Sequence, residues 1–302
     1  MTREDSISIS AKLSAYIAKN APRVCYTLDE LAGARAEFGE EDLAEMAELG
    51  LYDGDFEKFY VIREFLQDIG LGDVADGEYI LRVFENAKKL DARAFVREPY
   101  MAILGSMPRR AGSCMLMPSA YEAGEIFCYD MPDFTRELVV PKLAFFTKRV
   151  MFPTLYENET PWMSVCPSEI NSMRDAIDAA KGKVLVLGLG LGYYAHAIAQ
   201  KDEVESVTVV ELSGEVIELF RQAIEPKLDF GGKLTVVESD AIAYLAATAR
   251  GQFDFCFADI WEGAVDGAKW YKKILPHADR LVGTEFFYWI EDAILAYLAD
   301  GK

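Results

Sequence analysis

Four stretches of the sequence place chemistry-bearing residues directly after apolar runs. Gly188-Leu189-Gly190-Leu191-Gly192-Tyr193 follows Lys183–Leu187, and Glu211-Leu212 follows Ser206–Val210. Ser239-Asp240-Ala241 follows Leu234–Val237, and Asp259-Ile260-Trp261-Glu262 follows Phe253–Ala258. Glycines let a backbone turn tightly and approach a ligand where a Cβ would clash. The helix that follows them offers free N–H groups at its start. A carboxylate placed like Glu211 can accept both hydroxyls of a ribose, and Asp240 can accept from the exocyclic amine of an adenine. Taken singly, each acid has a plainer use as a helix N-cap or first-turn residue. Their order along the chain is what points to a nucleoside site.

The elements around these residues alternate. Helical patterns are expected over Ser168–Ala180, Tyr193–Lys201, Gly214–Ile224, Ala241–Arg250 and Trp289–Leu298, and a fifth strand over Arg280–Thr284. Strands alternating with helices of this length imply βαβ crossovers and a parallel sheet. Apolar runs without alternation imply strands covered on both faces. In such a sheet ligands bind outside the carboxyl ends of the strands, where the glycines and acids stand.

The preceding residues differ in character. Thr27-Leu28-Asp29-Glu30 has capping-box spacing, and helical apolar spacing recurs over Glu40–Leu51, Asp55–Ile69 and Gly77–Leu90. From about residue 96 prolines punctuate short runs. Strands are expected at Glu125–Tyr129, Leu138–Phe146 and Val150–Tyr156, with a hairpin turn at Glu157-Asn158 returning along Thr160–Val165. The expected division is a helical domain over 1–95, a β-rich connector on the substrate side over 96–166, and an α/β domain over 167–302.

The stretch KVLVLGLGLGYYAHAIAQ followed by VTVVELSGEVIELF resembles the first βαβ unit of the class I S-adenosylmethionine-dependent methyltransferases. The resemblance continues through LTVVESDAIAYLA and FDFCFADIWEG and covers about residues 168–290. It implies an α/β fold, a Rossmann-like parallel sheet, here without that family's C-terminal hairpin because the residues after Trp289 read as helix. It also implies S-adenosylmethionine as cofactor. Gly188, Gly190 and Gly192 would then face its methionine part, Glu211 would hold its ribose, and Asp240 with Ala241 would flank its adenine, with Leu189, Tyr193 and Leu212 also in the cofactor-binding set. Asp259 would lie beside the transferred group. Asp259 and Glu262 are the candidate catalytic acids, and Trp162 and Trp261 the candidate substrate walls. A dinucleotide fingerprint is disfavoured, because Tyr193 stands at its third glycine.

Val186, two residues before the first glycine, and the stretch YENETPWMSVCPSEINSM are more similar to the spermidine synthase branch of the same fold. That branch carries Asp in the glycine loop, where this chain has Leu191, and a more acidic loop after the fourth strand. Methyl transfer to a small molecule or protein side chain is therefore the first expectation. Aminopropyl transfer is the second, and a non-catalytic interaction module the third.

Composition bounds the partners. The chain has 302 residues, 50 acidic against 31 basic, a formal net charge of −19 and a pI near 4.6. That field disfavours nucleic acid and anionic membranes. Five scattered cysteines and two histidines argue against a zinc site and for reduced thiols, so a cytoplasmic protein is expected, possible as a homodimer. No apolar run is long enough to cross a membrane.

Overall fold

The computed structural model describes residues 2–19, 27–70, 77–133 and 137–299. Cys25 lies outside them. The chain divides into two compact units. One comprises Met1–Arg97 with Ala120–Met151, the other Glu98–Ser119 with Phe152–Lys302. The stretch 96–166 is thus shared between both.

The first unit is built on helices Arg3–Lys19, Leu28–Glu37, Glu40–Glu48, Phe56–Asp68 and Gly77–Asn86. The capping box at Thr27 is formed: its Oγ1 accepts from Glu30 N at 3.2 Å, and Glu30 Oε2 accepts from Thr27 N at 2.7 Å. Phe59, Ile62, Phe65, Val83 and Phe84 bury one face of these helices in a single core. The first helix hides two serines. Ser6 Oγ accepts from Val139 N at 2.9 Å and Ser10 Oγ donates to Val139 O at 3.0 Å, so neither hydroxyl is left unpaired. The helix expected to reach Leu90 stops at Asn86, because Lys88–Leu90 pairs as a parallel strand with Lys142–Phe146. The latter starts after Pro141, which has no N–H for a ladder, rather than at Leu138.

Strands Val150–Glu157, which enters the second unit at Phe152, and Thr160–Ser164 form the expected hairpin. Its turn falls one residue later than expected, at Asn158 and Glu159, because Glu157 still pairs with Thr160; both turn residues have positive φ, as a tight type I′ connection requires.

The parallel sheet has five strands: Gly182–Leu187, Val204–Glu211, Leu234–Glu238, Phe255–Ala258 and Glu285–Tyr288. Their spatial order is third, second, first, fourth, fifth, and every pairing is parallel. This is a Rossmann-like α/β architecture. The fifth strand is not Arg280–Thr284. Those residues end a helix, Ala264–Arg280, and the turn after it. Pro276, which marks a loop in the sequence, lies inside that helix, held by the buried Ile274 and Leu281 on either side. The more aromatic Glu285-Phe-Phe-Tyr288 takes the strand position instead. Among the described residues the fifth strand is followed by helix Glu291–Ala299 rather than by a hairpin. Ser168–Ala180 divides at Met173 into helices Pro167–Ser172 and Arg174–Ala179. No helix among the described residues is long and apolar enough to cross a membrane.

Candidate functional site

The carboxyl ends of the parallel strands open into a cavity of about 490 Å³, within the range of small-ligand sites. Two backbone segments meet at its floor. Gly188 has φ +98°, and a Cβ there would stand 2.0 Å from the carbonyl oxygen of Asp259. The loop after the first strand therefore touches the loop after the fourth through bare backbone. Gly190 lies under Met163, whose sulfur accepts from Leu191 N at 3.2 Å.

Glu211 ends the second strand and holds this loop. Its Oε2 accepts from Leu189 N at 2.9 Å and its Oε1 from Ser213 N at 2.8 Å. Each carboxylate oxygen has lone pairs to spare for a ligand. Leu212 beside it is 70% exposed at the cavity mouth. Asp240 caps helix Ala241–Ala247, its Oδ1 accepting from Ala243 N at 2.8 Å, and it also stands on the cavity rim with Ser239 and Ala241. The capping role and the rim position coexist.

Most of the residues expected at a site are brought together here. Gly188, Leu189, Gly190, Tyr193, Glu211, Leu212, Asp240, Ala241, Asp259, Glu262, Trp162 and Trp261 all line the cavity. Gly192 does not. It starts the helix Tyr193–Ala199 at φ +75°, and its missing Cβ makes room for the Phe220 ring. Trp261 is a packed wall residue, 7% exposed, whereas Trp162 is 54% exposed. Glu262 sits on the open rim. His196 is buried against Phe230 and Tyr100, and that burial lowers its pKa.

Sequence reasoning missed Glu169, in the first turn of helix Pro167–Ser172. It lines the cavity, as Asp259 does, and the two acids are near enough for the charge of one to act on the other. Burial pushes the Glu169 carboxyl up to about 7. Burial first, and then the Glu169 charge, raise Asp259 well above the carboxylate range. Two carboxyls so placed resist ionising together. A signal existed: within the helical pattern expected over Ser168–Ala180, Glu169 lies four residues before the apolar Met173, which is buried. Asp266, Trp270 and Trp289 also line the cavity and were not singled out. No cluster of three or more metal-ligating side chains occurs among the described residues.

Residues 169–275 match the family model described as "Spermine/spermidine synthase domain". No curated protein matches the chain. Among solved structures the chain is similar to spermidine synthase from Thermotoga maritima, at 18% identity and a TM-score of 0.30, over 41% of this chain and 48% of that one. A probable spermidine synthase from Corynebacterium glutamicum ATCC 13032 is similar at 16% identity and a TM-score of 0.35, over 58% and 59%. The PRMT1 enzyme–prozyme complex of Trypanosoma brucei with AdoHcy is similar at 18% identity and a TM-score of 0.30, over 39% and 37%. The chain therefore spans only about half the length of these structures. The stretch that carries the spermine/spermidine synthase likeness holds the first four strands of the parallel sheet, with Glu169, the glycine loop, Glu211, Asp240 and Asp259.

Proposed function

We propose that this cavity binds an adenosyl sulfonium and transfers one of its alkyl groups to an amine. The observation that carries the reading is charge. Glu157, Glu169, Glu211, Asp240, Asp259, Glu262 and Asp266 line the cavity, and no Lys, Arg or His does among the described residues. A sulfonium donor and an ammonium acceptor are both cations, and such a field attracts both.

The sulfonium supplies an electrophilic carbon; the protein supplies position and a place for a proton. Glu211, fixed by two backbone N–H groups, is oriented to receive ribose hydroxyls. Gly188 and Gly190 let the loop close onto the Asp259 carbonyl and the Met163 sulfur at the cavity wall. An amine arrives protonated and must lose one proton before its lone pair can attack. Glu169 suits that task, since a carboxyl raised to about 7 accepts a proton at little cost. The lone pair then forms the C–N bond while the C–S bond breaks, its electrons leaving on sulfur as a neutral thioether. The proton passes from the carboxyl to water. Holding the two partners in line is the remaining contribution.

Two donors fit this scheme. Aminopropyl transfer from decarboxylated S-adenosylmethionine is favoured because no basic side chain among the described residues lines the cavity to pair with a donor carboxylate, and by the synthase-type domain match. Methyl transfer from S-adenosylmethionine is favoured by Leu191, which replaces the acid of the synthase branch in the glycine loop. Incubation with either donor and a set of amines, with the nucleoside product identified by mass spectrometry, separates them. Methylthioadenosine marks aminopropyl transfer and S-adenosylhomocysteine marks methyl transfer. Turnover of neither donor with any amine would contradict the proposal.

A further inference from the structure

The chain contains four tryptophans, and all four line this one cavity. Tryptophan ordinarily fills a core, but only Trp261 is buried here; Trp270 and Trp289 are half-buried and Trp162 is exposed. Three of them stand at one end. Trp261 follows the fourth strand, Trp270 lies on the helix Ala264–Arg280, and Trp289 follows the fifth strand. Glu211 and Asp240 stand at the other end, after the second and third strands. The strand order therefore separates a nucleoside end from an indole end.

The indole walls are held in place. A Cβ on Gly267 would come within 2.9 Å of Trp261 Cδ1, so the bare glycine lets the helix close onto that ring. The Trp289 indole N–H donates to Ser172 Oγ at 2.8 Å. Trp270 already holds a cation, the Lys273 ammonium, 4.2 Å from its ring centroid. Glu262 and Asp266 belong to the same end of the cavity. Carboxylates there attract an ammonium, and indole faces bury an apolar body and add cation–π attraction.

Resting on the alkyltransferase reading, we infer that the acceptor is a monoamine with an aromatic or similarly bulky apolar body, its ammonium directed at the carboxylates and its body laid against the tryptophans. A linear diamine fits this end less well. It brings a second charge and a thin methylene chain, and leaves the indoles largely uncovered.

Intrinsic tryptophan fluorescence reads this directly, because every tryptophan faces the cavity. The full chain is titrated with 2-phenylethylamine, 1,4-diaminobutane and 2-phenylethanol, each with and without methylthioadenosine, with calorimetry in parallel. The expected result is that 2-phenylethylamine binds at least about tenfold more tightly than either other probe. Trp289→Leu is expected to remove most of that preference, and Trp270→Leu, half-buried at the same end, to reduce it with the fold retained. Binding of 1,4-diaminobutane as tight as that of 2-phenylethylamine overturns the inference, as does a preference unchanged in both variants. Methylthioadenosine binding without the amine preference overturns this inference alone and leaves the alkyltransferase reading in place. The amine preference without nucleoside binding supports the inference about the indole end and counts against the alkyltransferase reading. Absence of both overturns the two together.

Discussion

Glu169 and Asp259 line one cavity from two separate elements, the helix before the parallel sheet and the end of its fourth strand, and the charge of Glu169 raises the pKa of Asp259. The pair sets a pH dependence whose sign is fixed. A carboxyl raised from 4.5 to about 7 binds its proton more tightly in the folded chain than in the unfolded one. Its contribution to stability is full below the unfolded pKa and is lost as pH rises through about 7. Glu169→Gln is therefore expected to stabilise the protein at pH 8, by at most about 3 kcal/mol, and to change little at pH 5. Thermal melts at the two pH values check this; an equal shift at both would contradict it. Transfer activity in the same variant is expected to fall at least about tenfold.

The contact between Gly188 and Asp259 predicts a graded response in the glycine loop. Gly188→Ala sets a Cβ against a backbone carbonyl at a strongly positive φ, and neither can move without shifting the loop. The expected cost is about 2–4 kcal/mol. Gly190→Ala meets the sulfur end of the flexible Met163 side chain, and about 1–2 kcal/mol is expected. Denaturant midpoints of the two variants, compared at equal slope, test the ranking.

Glu211 and Asp240 divide structural from binding work differently. Glu211→Gln turns one acceptor into a donor facing a backbone N–H, so loop stability and nucleoside affinity fall together. Asp240→Ser keeps a cap for helix Ala241–Ala247 but shortens the reach to the rim. Its melting temperature is expected to stay near wild type while nucleoside affinity drops. Asp240→Ala is expected to lose about 1 kcal/mol in addition. Unchanged nucleoside affinity in Asp240→Ser would leave that residue a helix cap only.

Much of this was legible in the sequence where local chemistry decides structure. The unbroken apolar runs before Gly188, Glu211, Ser239 and Asp259 are strands, each ending within a few residues of its expected limit; those before Gly188 and Asp259 are buried in the middle of the sheet, whereas Leu234–Glu238 is an edge strand with no fully buried residue. The Thr27–Glu30 capping box and the turn at Asn158 form for equally local reasons. The fifth strand was misplaced because a proline inside a helix is tolerated when buried neighbours hold both sides of it. Lys88–Leu90 read as helix because its partner strand lies over fifty residues further along. The convergence of Glu169 with Asp259, and of four tryptophans on one cavity, depends on tertiary packing of a helix, a hairpin and the sheet, which no local pattern reports.

The central claim is that the carboxyl ends of this sheet hold an adenosyl sulfonium. The most direct measurement is calorimetric titration of the full chain with S-adenosylmethionine, decarboxylated S-adenosylmethionine, S-adenosylhomocysteine and NAD. The account predicts saturable binding of at least one sulfonium donor, none of NAD, and loss of donor binding in a folded Glu211→Ala variant. No binding by either sulfonium, or binding unchanged in Glu211→Ala, would contradict it.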